Sequence, residues 1–174
     1  FFLIILDNEL TFANYNYFFN NSYFIKFFKI LIIIASFSSL IISRNYFIDL
    51  KLDRFEIPIL ILFSTLGMML LVSSNNLISM YLAIELQSLA LYVIASIKRD
   101  SLQSSEAGVK YFILGALSSG ILLYGCSLIY GFSSSINFEE IQYNLFLVDK
   151  LNLGLIFGLV FILVGLAFKV SAVP

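Results

Sequence analysis

The sequence has no histidine and only one cysteine, Cys126, among its 174 residues. A single cysteine cannot form a disulfide within the chain. Without histidine there is also no Cys/His metal site and no Cys-His nucleophile pair. Metal binding and covalent catalysis are therefore not expected of this chain.

Charged residues are scarce as well, at 12% of the chain, whereas 60% of the residues are hydrophobic. So few charges leave too little polar surface to cover a soluble domain, which predicts that the chain lies in a lipid bilayer. The net charge is -1 and no basic cluster is present. This excludes nucleic-acid binding, because neutralising phosphates requires a basic face.

The apolar residues form five stretches that reach or approach the length of a transmembrane helix. A helix rises about 1.5 Å per residue, so about 20 apolar residues cross a hydrocarbon core about 30 Å thick. We therefore predict an all-α polytopic membrane protein with about five transmembrane helices. Its transmembrane domain, residues 24–174, would contain spans at about 24–43, 57–74, 77–97, 106–131 and 153–173, after an interfacial or irregular segment at residues 1–23.

Proline and short polar runs indicate where several spans begin. Pro58 lies in the first turn of the second span, where its missing N–H does no harm. The polar turn Ser73–Asn76 predicts a tight antiparallel hairpin of the second and third spans. Ser104 or Ser105 is predicted to cap the fourth span. The region 132–152 is predicted to be a loop.

The charges between the spans predict an orientation in the membrane. The region 132–152 is mainly acidic, whereas the connections after the first and third spans are basic. By the positive-inside rule, these two basic connections face the cytoplasm or the matrix. Their basic residues are Arg44, Lys51, Arg54, Lys98 and Arg99.

Glu85, Lys110 and Lys169 place charges inside the predicted spans. A charge at the bilayer centre costs about 2.5 to 3.5 kcal/mol on insertion scales, so such residues are usually functional or paired. Glu85 lies roughly 12 Å into the third span. Helical periodicity puts Tyr81, Ser88 and Tyr92 on its face, which indicates a protein interior. The residues alone support a proton-exchanging group and a structural ion pair equally well.

The two lysines have different surroundings. Lys110 follows Glu106 by four residues, so the spacing favours a snorkelling or interfacial pair on the helix surface. Lys169 shares a helix face with small residues, which let helices approach closely, so it is predicted to point into a packed bundle. The alternative is a lysine at a membrane end. The small residues on this face are Gly154, Gly158, Gly165 and Ala172.

Several segments together resemble the chain 2 family of mitochondrial NADH-ubiquinone oxidoreductase (respiratory complex I) and its bacterial counterpart. These are antiporter-like membrane-arm subunits, and the resemblance runs from about Phe24 to the end of the chain. It identifies the sequence as an N-terminal part or fragment of such a subunit. The segments are DRFEIP at 53–58, LGMML at 66–70, SSNNLIS at 73–79, LAIELQSL at 82–89, EAGVKYFILGA at 106–116 and GLAFKVSAVP at 165–174.

The resemblance implies a subunit of the H+-translocating NADH:ubiquinone reductase in the mitochondrial inner membrane or, alternatively, a bacterial plasma membrane. No redox site or cofactor is expected on this chain, because FMN, iron-sulfur clusters and ubiquinone belong to other subunits. Family members carry more helices, in two inverted repeats. The last span here would be the first half of a broken helix.

The resemblance also implies roles for residues and partners. Glu85, Lys110 and Lys169 match the family's proton carriers, which promotes Lys110 above the surface pair that its spacing favours. The implied partners are other membrane-arm subunits, membrane lipids and a second chain carrying the remaining helices. Two alternative functions remain: a subunit of a related cation/proton antiporter, and a structural membrane-arm piece that does not pump.

Overall fold

The regular secondary structure is helical, apart from isolated bridges, throughout the residues that the structure, a computed structural model, describes. These are residues 17–49, 55–98, 100–147 and 152–172. The all-α prediction is confirmed. From Tyr23 onward the described ranges contain α1 (Tyr23–Asp49), α2 (Glu56–Ser73), α3 (Leu77–Ala95), α4 (Leu102–Ser133), α5 (Phe138–Leu147) and α6 (Leu153–Lys169).

Four of these helices, α1 to α4, are long and apolar enough to cross a membrane. The fifth predicted span contains α6, an apolar helix of 17 residues. At about 1.5 Å per residue, α6 comes close to the thickness of a hydrocarbon core. The predicted segment at residues 1–23 falls mostly outside the described residues, as do Lys51, Arg54 and Arg99 of the basic connections.

The helices α2 and α3 form the predicted antiparallel hairpin. Residues at the start of α2, such as Glu56, line the same groove as Ile97 beyond the end of α3. Gly67 lets the two backbones approach closely, because a Cβ there would lie 2.8 Å from the Gln87 backbone nitrogen. Pro58 lies in the first turn of α2, as predicted.

The most extensive helix contact joins α4 and α6. It is built on glycine, because a Cβ on Gly125 would lie 2.8 Å from the Ile162 backbone nitrogen, and one on Gly165 would lie 2.7 Å from Leu122 Cβ. Gly158 also faces this contact, with the Gly125 carbonyl oxygen 3.2 Å from an added Cβ. The predicted packing of the glycine face of the fifth span is confirmed.

An apolar core fills the space between α3, α4 and α5. Its buried members are Leu77, Ile84, Leu122, Cys126, Ile129 and Ile141, of which Leu122 has no exposed surface. Cys126 acts here as a small apolar side chain with a free thiol. By contrast, α1 has no buried residue and packs against α2 alone among the more extensive contacts.

The predicted loop at residues 132–152 was wrong in part, because it contains the helix α5. The Asn137 side chain accepts a hydrogen bond from the Glu139 backbone N–H at 3.0 Å. Glu139 and Glu140 then place negative charge in the first turn, where the helix dipole favours it. An Asn cap followed by acidic residues was a readable signal of a helix start.

The predicted cap of α4 was also wrong. The helix begins at Leu102, and Ser101 caps it by accepting a hydrogen bond from the Ser104 backbone N–H at 3.4 Å. The Ser104 hydroxyl donates instead to the Ala95 carbonyl at 3.1 Å. The helix therefore starts earlier than the apolar pattern indicates, because its first turn is polar and exposed.

Candidate functional site

Glu85 and Lys169 form an ion pair between two helices that are distant in sequence. Glu85 lies in the middle of α3, and Lys169 is the last residue of α6. The distance from Lys169 Nζ to Glu85 Oε1 is 3.3 Å. Both side chains are largely buried, with 15% of the Lys169 side chain and 21% of the Glu85 side chain exposed.

The Lys169 ammonium has two further acceptors on α3. Its Nζ donates to Ser88 Oγ at 3.2 Å and to Tyr92 Oη at 3.3 Å. These residues follow Glu85 by three and seven positions, which confirms the polar face predicted from helical periodicity. An ammonium has three N–H donors, so each donor has one acceptor. We call Glu85, Ser88, Tyr92 and Lys169 the Lys169 cluster.

The three contacts within the Lys169 cluster are nearly equal in length. A charge-assisted N–H···O bond is typically about 2.7 to 2.9 Å long. The contacts of Lys169 are longer, at 3.2 to 3.3 Å. The ammonium is therefore shared among one carboxylate and two hydroxyl oxygens, and is not held by Glu85 alone.

The end of α6 fixes the position of Lys169. Ser171 has a positive φ of 61°, its N–H donates to the Phe168 carbonyl, and the Ala172 N–H donates to the Ala167 carbonyl. These two bonds and the left-handed residue form a Schellman motif, which ends a helix. Ala172 therefore lies beyond α6 and not on its glycine face as predicted.

Tyr92 connects the cluster to α4. Only 6% of this residue is exposed, and its ring makes edge contacts with Tyr111 and Phe112 at centroid distances of 4.7 and 5.7 Å. Lys169 Nζ lies 5.8 Å from the Tyr92 ring centroid, within cation-π range. The hydroxyl fits over Gly115, where an added Cβ would lie 2.0 Å from Tyr92 Oη.

Lys110 lies apart from the Lys169 cluster. Its Nζ contacts Glu106 Oε1 at 2.5 Å on the same helix, and the two side chains are 69% and 54% exposed. This is the helix-surface pair that the spacing favours. In the described ranges, Lys110 has no recorded contact with Glu85 or Lys169. Its sequence neighbour Tyr111 does reach Tyr92.

Sequence reasoning found Glu85, Ser88, Tyr92 and Lys169 but missed Gly115. The polar face indicated the acceptors, and the glycine face of α6 indicated the direction of the lysine. Nothing in the sequence indicated which tertiary neighbour makes room for the Tyr92 hydroxyl. Tyr81, the fourth residue of the predicted polar face, also packs against the apolar core.

Comparisons with known sequences give consistent similarities. Residues 74–174 match the profile of a transmembrane family described as NADH:quinone oxidoreductase/Mrp antiporter. The chain is similar to NADH-quinone oxidoreductase subunit N of Bartonella bacilliformis, with 59% identity over 151 residues, 87% of this chain and 31% of that relative. For the Pelagibacter ubique subunit N the identity is 54% over 169 residues, 97% of this chain and 35% of the relative. The chain spans about a third of these relatives.

Two solved structures contain similar folds. A chain of respiratory complex I from Thermus thermophilus with bound aureothin has a TM-score of 0.68 and 32% identity. The match covers 84% of this chain and 30% of the complex I chain. A chain of the membrane-bound sulfane sulfur reductase, an archaeal respiratory membrane complex, has a TM-score of 0.56 and 25% identity. That match covers 63% of this chain and 22% of the reductase chain.

Proposed function

Because the chain belongs to the NADH:quinone oxidoreductase/Mrp antiporter transmembrane family, we propose that it carries protons within a membrane-arm subunit of an NADH:quinone oxidoreductase. The relatives named as subunit N and the similar chain of respiratory complex I support this over a cation/proton antiporter. These relatives are bacterial, so they support a multi-pass location in an energy-conserving membrane without singling out the mitochondrial one.

The observation that carries the proposal is the largely buried Lys169 cluster. A carboxylate and an ammonium at 3.3 Å influence each other's charge. A proton gained or lost by Glu85 therefore changes how readily Lys169 gains or loses a proton. The two hydroxyl oxygens give the ammonium other partners when Glu85 is neutral. Such a pair can pass charge between helices without a redox group on this chain.

Lys110 enters the proposal through the family resemblance. Its side chain is 69% exposed on a helix long enough to cross a membrane, so we propose that another part of the assembly covers this face. The adjacent Tyr111 contacts Tyr92, which gives α4 a physical connection to the Lys169 cluster. With Glu85 and Lys169, Lys110 would form one half-channel.

The proposed partners are other membrane-arm subunits and membrane lipids, with flavin, iron-sulfur and quinone chemistry on other subunits. The chain spans about a third of its relatives, and the family resemblance implies further helices, which a complete pump needs on this polypeptide or on a second chain. Purification of the complex followed by intact-mass spectrometry tests both points. Absence of flavin and iron-sulfur subunits would favour the antiporter alternative, and a second chain bearing those helices would establish the split subunit.

The decisive test of proton transport uses Lys169→Met and Glu85→Gln in the whole complex, reconstituted in vesicles. Each variant removes one charge of a largely buried pair and leaves the other without its partner, so we expect proton uptake per NADH oxidised to fall below the wild-type value. Lys98→Met is the matched control, because Lys98 is an exposed lysine beyond the end of α3. Unchanged stoichiometry in both variants would favour a structural piece that does not pump.

A further inference from the structure

We propose that Tyr92 is a positioning residue that keeps the Lys169 ammonium against α3 whenever Glu85 is neutral. The proposal deepens the proposed function and rests on it, because it assigns a role within the same proton-carrying site. Tyr92 does not transfer a proton in this scheme. Its hydroxyl oxygen accepts a hydrogen bond from Lys169 Nζ and so determines the position of the ammonium while Glu85 is neutral.

The distances support this role, because the oxygen atoms of Tyr92 and Glu85 lie equally far from the ammonium. Lys169 Nζ lies 3.3 Å from Glu85 Oε1 and 3.3 Å from Tyr92 Oη, with Ser88 Oγ at 3.2 Å. The ammonium can leave the carboxylate without crossing a gap, because it already contacts both hydroxyls. The ring of Tyr92, 5.8 Å from Nζ, adds attraction that does not depend on the charge of Glu85.

Ser88 and Tyr92 are held in different ways. The Ser88 hydroxyl donates to the Ile84 and Glu85 carbonyls of its own helix at 2.9 and 3.2 Å, so its position follows α3 alone. Tyr92 belongs to α3 but is clamped by α4, through the Tyr111 and Phe112 rings and the space above Gly115. A displacement of α4 therefore shifts one acceptor of Lys169 and leaves the other in place.

The first experiment compares Tyr92→Phe with Tyr124→Phe in the whole complex, in reconstituted vesicles. Both changes remove one phenol oxygen, but Tyr124 is exposed on α4 and its ring contacts Phe161 outside the cluster. We expect Tyr92→Phe to lower proton uptake per NADH oxidised below the wild-type value, but by less than Lys169→Met, because it removes one of the three acceptors of the ammonium. NADH oxidation and proton uptake should stay unchanged in Tyr124→Phe, and the amount of assembled complex should stay unchanged in both variants.

Wild-type stoichiometry in Tyr92→Phe would overturn the proposal. If Lys169→Met abolishes pumping in the same assay while Tyr92→Phe does not alter it, the positioning role fails and the proposed function stands. If Lys169→Met itself has no effect, the proposed function fails, and the second experiment below still tests the position of the ammonium.

The second experiment is a cryo-EM structure of the complex carrying Glu85→Gln, which mimics the neutral carboxyl. We expect Lys169 Nζ to remain within hydrogen-bond distance of Tyr92 Oη. In the double variant with Tyr92→Phe, the ammonium should move away from residue 92, with Ser88 Oγ as its remaining hydroxyl acceptor on α3. An ammonium that already leaves Tyr92 in the Glu85→Gln complex would contradict the proposal, even if Tyr92→Phe alone fails to assemble.

Discussion

At the scale of single residues, two lysines that are both predicted site residues have very different environments. Lys169 is 15% exposed and has three oxygen partners, whereas Lys110 is 69% exposed and pairs with Glu106 one turn away. An exposed ion pair contributes about 0 to 1 kcal/mol, because water and salt screen it. Removing a partner from a largely buried pair costs more, because the remaining charge stays desolvated.

The contrast gives a prediction for Lys110→Met. We expect the free energy of unfolding to change by less than about 0.5 kcal/mol, since the pair with Glu106 is exposed. A relay role nevertheless requires proton uptake per NADH oxidised to fall, so thermal stability and pumping of the complex are measured together. Glu106→Gln is the matched control, because it removes the same ion pair and keeps the lysine. Unchanged pumping in Lys110→Met would remove Lys110 from the proposed half-channel.

At the scale of elements, the turn between α2 and α3 is a junction of three parts of the chain. Asn76 has no exposed surface, its Oδ1 caps α3 by accepting from the Ser79 N–H at 2.7 Å, and its Nδ2 donates to the Tyr17 carbonyl at 3.3 Å. The Leu77 N–H donates to the Ile136 carbonyl at 3.0 Å. The turn therefore joins the segment before α1 to the hairpin and to the connection between α4 and α5.

This junction predicts a large effect of Asn76→Ala. The change removes a helix cap and a buried hydrogen bond, so we expect a loss of about 2 to 3 kcal/mol in the free energy of unfolding. Asn76→Ser, the matched control, keeps a capping oxygen without adding a charge and loses the amide donor, so its loss should be smaller. Thermal unfolding of the purified complex measures both. Equal losses would mean that the cap contributes little.

The presence of most helices could be predicted from the sequence more easily than the residues at which they begin and end. The apolar stretches predicted the helices α1 to α4 and α6 because length and hydropathy alone decide a membrane span. The helix α5 was missed, since it is short and carries Glu139 and Glu140 at its start. The cap at Ser101 was missed because the first turn of α4 is polar. The site was predictable where one helix face carried it, but the fit of Tyr92 over Gly115 depends on tertiary packing.

At the scale of the whole molecule, the helices form two closely packed pairs, α2 with α3 and α4 with α6. Contacts between α3 and α4 join the pairs, and the Lys169 cluster lies where α3 meets both α4 and α6. The chain corresponds to about a third of its relatives. In the proposed function, the described architecture would supply one charge-carrying junction of a larger assembly.

The positive-inside rule gives a prediction for this architecture. Lys98 follows α3 and Glu139 lies in the first turn of α5, so α4 separates them across the membrane, and both are exposed. We expect a membrane-impermeant maleimide to label Lys98→Cys from the cytoplasmic or matrix side only, and Glu139→Cys from the opposite side only. The unmodified chain is the control, because Cys126 is buried. The reverse pattern would invert the predicted orientation.

The glycine contact between α4 and α6 has a mechanical consequence. The backbones of the two helices approach closely at Gly125, Gly158 and Gly165, so little space remains between them and we expect the helices to move together. Glu85 and Tyr92 attach α3 to this helix pair, one through the end of α6 and the other through α4. Neutralising Glu85 would remove the ionic part of the attachment through α6 and leave its hydrogen bonds to Ser88 and Tyr92, so we expect a proton to loosen this helix contact before the helices change position.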